Sequence, residues 1–292
     1  AESSAAAHSA ALALSGVLAR QIKDYQNTLL DLLALIDALI DYPEEIDEET
    51  TREELRQRIQ GLAQELAALT DTYKSGRILR DGLHVCIAGL PNAGKSSLLN
   101  VLSGRDSAIV TPIAGTTRDI LHEIIEINSL AVHLYDTAGL RESGDQIEQI
   151  GIERAYSLAE KADAILYLID ASQGVLSEDE KEIAKLCKVN RNIYIVFNKT
   201  DLSKDSPPRE GFEDFRVLNI STVTKEGINE LRQLIFNLAG VKDIGAHMFI
   251  TNERHYNALC SAQKSLQSAY MAAEELPIDC VAVDLRQAWQ FI

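Results

Sequence analysis

The segment Gly89-Leu90-Pro91-Asn92-Ala93-Gly94-Lys95-Ser96 fits the pattern G-x-x-x-x-G-K-S/T and narrows the folds open to this chain. Such a loop works only where a strand ends, backbone amides turn inward, and a helix begins. Its surroundings predict that context: residues 83–88 are β-rich and residues 95–102 helical. Further β-rich runs at 121–127, 131–135, 164–170, 192–197 and 215–220 alternate with helical stretches at 151–161, 177–187 and 227–238. Ser177 and Glu180 have the spacing of a capping box. Alternating strands and helices predict a doubly wound, mostly parallel α/β sheet. A chance glycine-rich turn would not bring this context with it.

The flanks read differently. Residues 9–40 are rich in Ala and Leu, with Leu14, Leu18, Ile22, Tyr25, Leu29, Leu32, Ile36 and Leu39 at helical spacing, which predicts a long amphipathic helix. Tyr42-Pro43 and the acidic run 44–49 read as a solvated connection, and Thr51-x-x-Glu54 as a capping box. Leu55, Ile59, Leu62, Leu66, Leu69 and Tyr73 then form a short seam, which favours packing within a bundle over a coiled coil between chains. Residues 251–275 return to helical composition, and Trp289 reads as a packing residue of the last helix. At about 150 residues per domain, 292 residues suit two domains. The simplest layout inserts an α/β domain, 82–238, into an all-α helical domain made of 1–81 and 239–292.

Residue chemistry in the α/β part points to a guanine nucleotide. Lys95 suits the β- and γ-phosphates and the Ser96 hydroxyl suits Mg²⁺. Asn198-Lys199-Thr200-Asp201 follows a predicted strand, at the sheet end where such folds bind ligands. A carboxylate at Asp201 accepts from both N1–H and the 2-amino group of guanine, whereas adenine offers neither. A mismatch there leaves buried polar groups unpaired, the strong form of discrimination. Asn198 can tie this loop to the phosphate loop, the Lys199 stem can cover the base, and Ser221-Thr222-Val223 can close over it from the other side. Asp136-Thr137-Ala138-Gly139 ends another strand, where Asp136 suits Mg²⁺ through water and the Gly139 amide can sense a γ-phosphate. Thr116 or Thr117, in the loop 113–119, is expected to join the Mg²⁺ shell. Ras has Gln directly after D-x-x-G to orient the attacking water. Here Leu140 stands there, and leucine cannot hydrogen-bond water. An Asn92 amide oxygen with carbonyls of the loop 111–116 offers a monovalent-cation site instead.

Composition sets limits on this reading. Lys plus Arg number 28 against 44 Asp plus Glu, a net charge of −16, which argues against holding nucleic acid on a basic face. A hydrophobic content of 46% excludes wholesale disorder. Four scattered cysteines suit a reducing compartment, and Cys86 reads as core. Ala1-Glu2-Ser3-Ser4 resembles no signal peptide, and no run of about 18 apolar residues predicts a membrane span. His84, His122, His133, His247 and His255 show no metal spacing, while Arg118 and Arg141 read as solvated rather than as arginine fingers.

Together the Pro91-Asn92 phosphate loop, the loop 113–119 and Asp136-Thr137-Ala138-Gly139-Leu140-Arg141 resemble the tRNA-modification GTPases called MnmE or TrmE. The resemblance covers nearly all of the chain and implies a P-loop GTPase domain inserted into a helical one. It implies nucleotide contacts from Asn92, Ala93, Gly94, Lys95, Ser96 and Ser97, and from Thr111, Pro112, Ile113, Ala114, Gly115, Thr116 and Thr117. Asp136, Thr137, Ala138, Gly139, Asn198, Lys199, Asp201, Ser221 and Thr222 complete that set. Mg²⁺ would lie on Ser96 and Thr117, and K⁺ on Asn92, the Thr111 and Ile113 carbonyls and Thr116. Asn92 and Thr116 thereby enter catalysis, with Glu148 orienting the attacking water through a bridging water. The resemblance further implies K⁺- and GTP-dependent dimerisation of the GTPase domains, a FAD-dependent partner protein, tRNA as substrate, and a cytoplasmic bacterial or an organellar location. It also implies a truncated member, without the N-terminal folate-binding domain and the C-terminal Phe-Cys-x-Gly-Lys motif. Two rivals stand beside this reading. A ribosome-assembly GTPase would need basic surface, and a non-hydrolysing GTP-binding scaffold would not need Lys95, Ser96 and Thr117.

Overall fold

The computed structural model describes residues 16–104, 121–136, 147–203, 211–240 and 249–292, without the side chains of 121, 147–152, 154 and 275. Described residues 81–240 fall in one compact unit, and 16–80 with 249–292 in another.

The first unit is a six-stranded sheet, β1 (Leu83–Gly89), β2 (Leu121–Ile127), β3 (Leu130–Asp136), β4 (Ala164–Asp170), β5 (Ile193–Asn198) and β6 (Arg216–Asn219). Its spatial order is β2-β3-β1-β4-β5-β6. Every pairing is parallel except β2 with β3. Asn128 and Ser129 both have positive φ, 49° and 68°, as a tight two-residue hairpin requires when its twist must match the strands. In β4, Ala164 to Ile169 are all buried, the continuous apolar run expected of a central strand covered on both faces. Cys86, on β1, is fully buried, and burial pushes its thiol up to about 12. The mostly parallel, doubly wound class read from the alternation is the class observed.

Among the described residues the second unit packs four long helices. Of the helices numbered in chain order, α1 (Val17–Asp41) and α2 (Glu48–Asp71) lead into α3 (Tyr73–Asp81), while α8 (Glu253–Glu275) and α9 (Ile278–Phe291) end the chain. The sheet unit contributes α4 (Lys95–Ser103), α5 (Ile147–Lys161), α6 (Ser177–Val189) and α7 (Ile228–Leu238). The 55–69 seam is buried against Leu29, Leu32 and Ile36 of α1 and Leu259 and Leu266 of α8, so it is bundle packing within one chain. Ala262, Ala269 and Ala273, almost fully buried, let the helices approach closely. Arg52 of α2 donates to the carbonyls of Ala273 (3.3 Å) and Leu276 (3.0 Å), satisfying acceptors that the end of α8 leaves open.

Three local expectations are corrected. Thr51 is not a cap: α2 begins at Glu48 after Asp47, and the Thr51 hydroxyl donates to the Asp47 carbonyl at 2.8 Å inside the first turn. The end of the acidic run is helical because Glu48 and Glu49 are favoured at the positive end of the helix dipole. At α6 the capping residue is Leu176, not Ser177. The buried Asp179 carboxylate accepts from the Leu176 amide and the Tyr167 hydroxyl, each at 3.1 Å. Burial outweighs those bonds and pushes the Asp179 carboxyl up. Trp289 is 40% exposed rather than core, since Leu285 and Ala288 already hold the inward positions of that last turn.

Truncating a buried bundle leucine leaves a cavity that the packed helices only partly close. Leu266→Ala is expected to cost about 2–5 kcal/mol, read as a lowered denaturant midpoint in helical circular dichroism.

Candidate nucleotide-binding site

The loop 90–94 leaves β1 and enters α4, with positive φ at Gly89 before it and at Asn92 and Gly94 within it. Gly89 (φ 141°) passes so close to the Leu168 carbonyl of β4 that a Cβ would collide with it. Gly94 (φ 96°) would drive a Cβ into the Asn198 carboxamide. Asn92, exposed in the same loop, has φ 64°. Lys95 is buried, and its ammonium donates to the Gly89 carbonyl at 2.9 Å and the Leu90 carbonyl at 2.8 Å, folding back across the loop. Ala93 is buried, whereas Ser96 and Ser97 are exposed on the first turn of α4.

The Ser96 hydroxyl donates to the fully buried Asp136 carboxylate at 3.2 Å, bringing the first helical turn to the end of β3. This all-oxygen pair is the hard donor chemistry Mg²⁺ takes while keeping several waters. Ser96 therefore fits as a direct ligand and Asp136 as an outer one. Among the described residues no cluster of three or more His, Cys, Asp or Glu could hold a metal.

On the base side, fully buried Asn198 donates from Nδ2 to the Ala93 carbonyl at 2.9 Å and accepts at Oδ1 from the Thr222 amide at 3.2 Å. It thereby joins the phosphate loop to the loop after β6. The buried Ser221 hydroxyl donates to the Asp201 carboxylate and accepts from the amides of Val223 (3.2 Å) and Thr224 (3.0 Å). Lys199 has left-handed φ 63°, and its ammonium meets the Asp170 carboxylate at 2.6 Å. Sequence reasoning did not name Asp170. Its signal was an acid ending an otherwise apolar strand, at the sheet end that carries Asn198.

The structure therefore gathers Ala93, Lys95, Ser96, Asp136, Asn198, Lys199, Asp201, Ser221 and Thr222 at one end of the sheet. Thr111, Pro112, Ile113, Ala114, Gly115, Thr116, Thr117, Thr137, Ala138, Gly139 and Leu140 lie outside the described residues. Of the four expected K⁺ donors only Asn92 is described. Glu148 is placed in the first turn of α5, with its side chain outside the description.

The family model of the MnmE helical domain matches residues 1–292. The chain belongs to the MnmE family. Its similarity extends to a tRNA modification GTPase MnmE of Dechloromonas aromatica, 40% identical over 99% of this chain and 65% of that one. The Clostridioides difficile protein of the same name is 37% identical over 96% of this chain and 62% of its own. The chain thus spans less than two thirds of the length of these MnmE relatives. A solved structure of Aquifex aeolicus Era bound to GDP·AlF₄⁻ aligns with 62% of the chain and 66% of its own, at 28% identity and a TM-score of 0.44.

Removing the Asn198 carboxamide orphans the Ala93 carbonyl and the Thr222 amide together. Asn198→Ala is expected to lower stability by about 2–4 kcal/mol, and chemical denaturation followed by tyrosine fluorescence measures it. A loss within about 0.5 kcal/mol would show that neither bond matters.

Proposed function

We propose that this chain binds GTP with Mg²⁺ and hydrolyses it to GDP and phosphate, in a K⁺-stimulated manner, as part of a tRNA wobble-uridine modification machine. The observation that carries the reading is the buried Asn198 carboxamide, bridging the phosphate loop and the base-side loop beside an Asp201 carboxylate oriented by Ser221. Family membership and the names of the relatives support the assignment to tRNA modification.

In this reading Lys95 and the amides of 92–97 receive the phosphates, while Asp201 accepts from guanine N1–H and the 2-amino group. Ser96 and Thr117 hold Mg²⁺. Water attacks the γ-phosphorus, the bond to the bridging oxygen breaks, and GDP departs. Glu148 orients that water through a second one, because Leu140 cannot. Asn92, the Thr111 and Ile113 carbonyls and Thr116 would hold K⁺, which would supply positive charge against the negative charge that develops in the transition state. With K⁺ and GTP bound, two GTPase domains would pair face to face, and that pairing would accelerate turnover.

The FAD-dependent partner and the cytoplasmic setting rest on the resemblance alone. No described helix is long and apolar enough to cross a membrane. Cys86, Cys187, Cys260 and Cys280 are all free thiols.

GTP turnover is expected to be faster in K⁺ than in Na⁺ and to rise in specific activity with protein concentration in K⁺. Equal rates in both salts would sink the cation role, and uncleaved GTP would favour a scaffold. Glu148→Ala is expected to slow turnover by about 10²–10⁴-fold with GTP affinity nearly unchanged, checked by single-turnover kinetics and equilibrium binding.

A further inference from the structure

Asp170 belongs to none of the motifs above, yet it ends β4 in register with Asn198 of β5. Its side chain is 10% exposed. One carboxylate oxygen accepts from the Lys199 ammonium at 2.6 Å and from the Gln173 side-chain Nε2 at 3.3 Å. The other accepts from the Ser172 amide at 3.0 Å and the Ser172 hydroxyl at 2.6 Å. These four bonds match the acceptor capacity of an ionised carboxylate. Burial alone would raise the Asp170 carboxyl, but the bonds from Lys199 and Ser172 overcome it and hold the group below the usual carboxylate range. The turn after β4 thus fixes the carboxylate, and the carboxylate fixes the ammonium.

The other end of Lys199 is constrained as well. Its left-handed backbone lies between Asn198, bonded to the phosphate loop, and Asp201, bonded to Ser221. A lysine stem is long and flexible, and it forms a defined wall only when both ends are held. We propose that Asp170 is a positioning residue for nucleotide recognition, pinning the Lys199 ammonium so that the Lys199 stem is held as one wall of the base site. This deepens the GTP-binding reading and rests on it. The wall covers the face of a purine whatever its edge carries, whereas Asp201 reads the edge. Asp170 therefore sets affinity for purine nucleotides in general, and Asp201 sets the preference for guanine.

Binding of N-methylanthraniloyl-GDP to the 292-residue chain, with unlabelled GDP and IDP as competitors, tests this. Asp170→Ala and Lys199→Met are each expected to weaken GDP and IDP alike by about tenfold. The double variant should be no weaker than either single one within about twofold, because both changes remove one interaction. Asp170→Asn keeps the acceptor without the charge and should lose only about threefold. In turnover, KM for GTP should rise while kcat stays unchanged. Asp170→Ala affinity equal to wild type, losses that multiply to about a hundredfold in the double variant, or a fall in kcat would each overturn the proposal. So would a loss in Asp170→Ala that comes with a lowered melting temperature while Asp170→Asn binds normally, since that pattern marks a structural role. Failure of the wild-type chain to bind the probe would overturn the GTP reading itself, whereas wild-type binding with unchanged Asp170 variants removes this inference alone.

Discussion

The Asn198 carboxamide sits where three segments remote in sequence meet, and it is fully buried there. It donates a hydrogen bond to the Ala93 carbonyl of the phosphate loop and accepts one from the Thr222 amide beyond β6. Both partners are backbone groups, so neither can swing away to water when the side chain is lost. The rest of the site follows from that fixed point. Gly94 has no Cβ because the carboxamide fills that space, and Lys199 and Asp201 inherit their places from the residue before them. The parallel β4–β5 ladder in turn sets Asp170 beside Asn198. A strand end thus becomes a recognition surface with few side chains, because backbone geometry does most of the positioning.

Much of this was legible in the sequence, and the reason is periodicity. Alternating strand and helix patterns marked the sheet to within a residue or two, since buried central strands such as β4 cannot tolerate polar interruptions. Bundle positions such as Leu55, Ile59 and Leu66 were equally plain from their spacing. Helix starts were less so. At Thr51 and Ser177 the motif was present but the helix began earlier or capped differently, because dipole-favoured Glu48 and the buried Asp179 carboxylate competed successfully. Trp289 shows the same limit: periodicity says which turn is inward but not which neighbour already fills it.

In the candidate site the motif residues could be named from sequence because the loop pattern calls for particular residue types at particular strand ends. Asp170 was less legible, because its contacts lie in a lateral pairing between strands and in an ion pair spanning 29 positions of the chain. An acid ending an apolar strand is the only local mark, and it does not show which residue it pairs with. Such pairings become visible only once register fixes which strand ends are neighbours.

The helical unit is assembled from both ends of the chain, with α1 and α2 at one and α8 and α9 at the other. The sheet unit is one unbroken stretch between them. During synthesis the two units therefore mature on different schedules. The sheet can close as soon as its own last strand and helix emerge, whereas Leu29 and Ile59 gain Leu266 and Leu285 as core neighbours only once α8 and α9 are made. The entropy of closing so long a connection rises only slowly with its length, and a folded sheet unit already shortens it. The order of chain growth thus lets the sheet unit fold before α8 and α9 exist, and the four-helix packing forms only once they do.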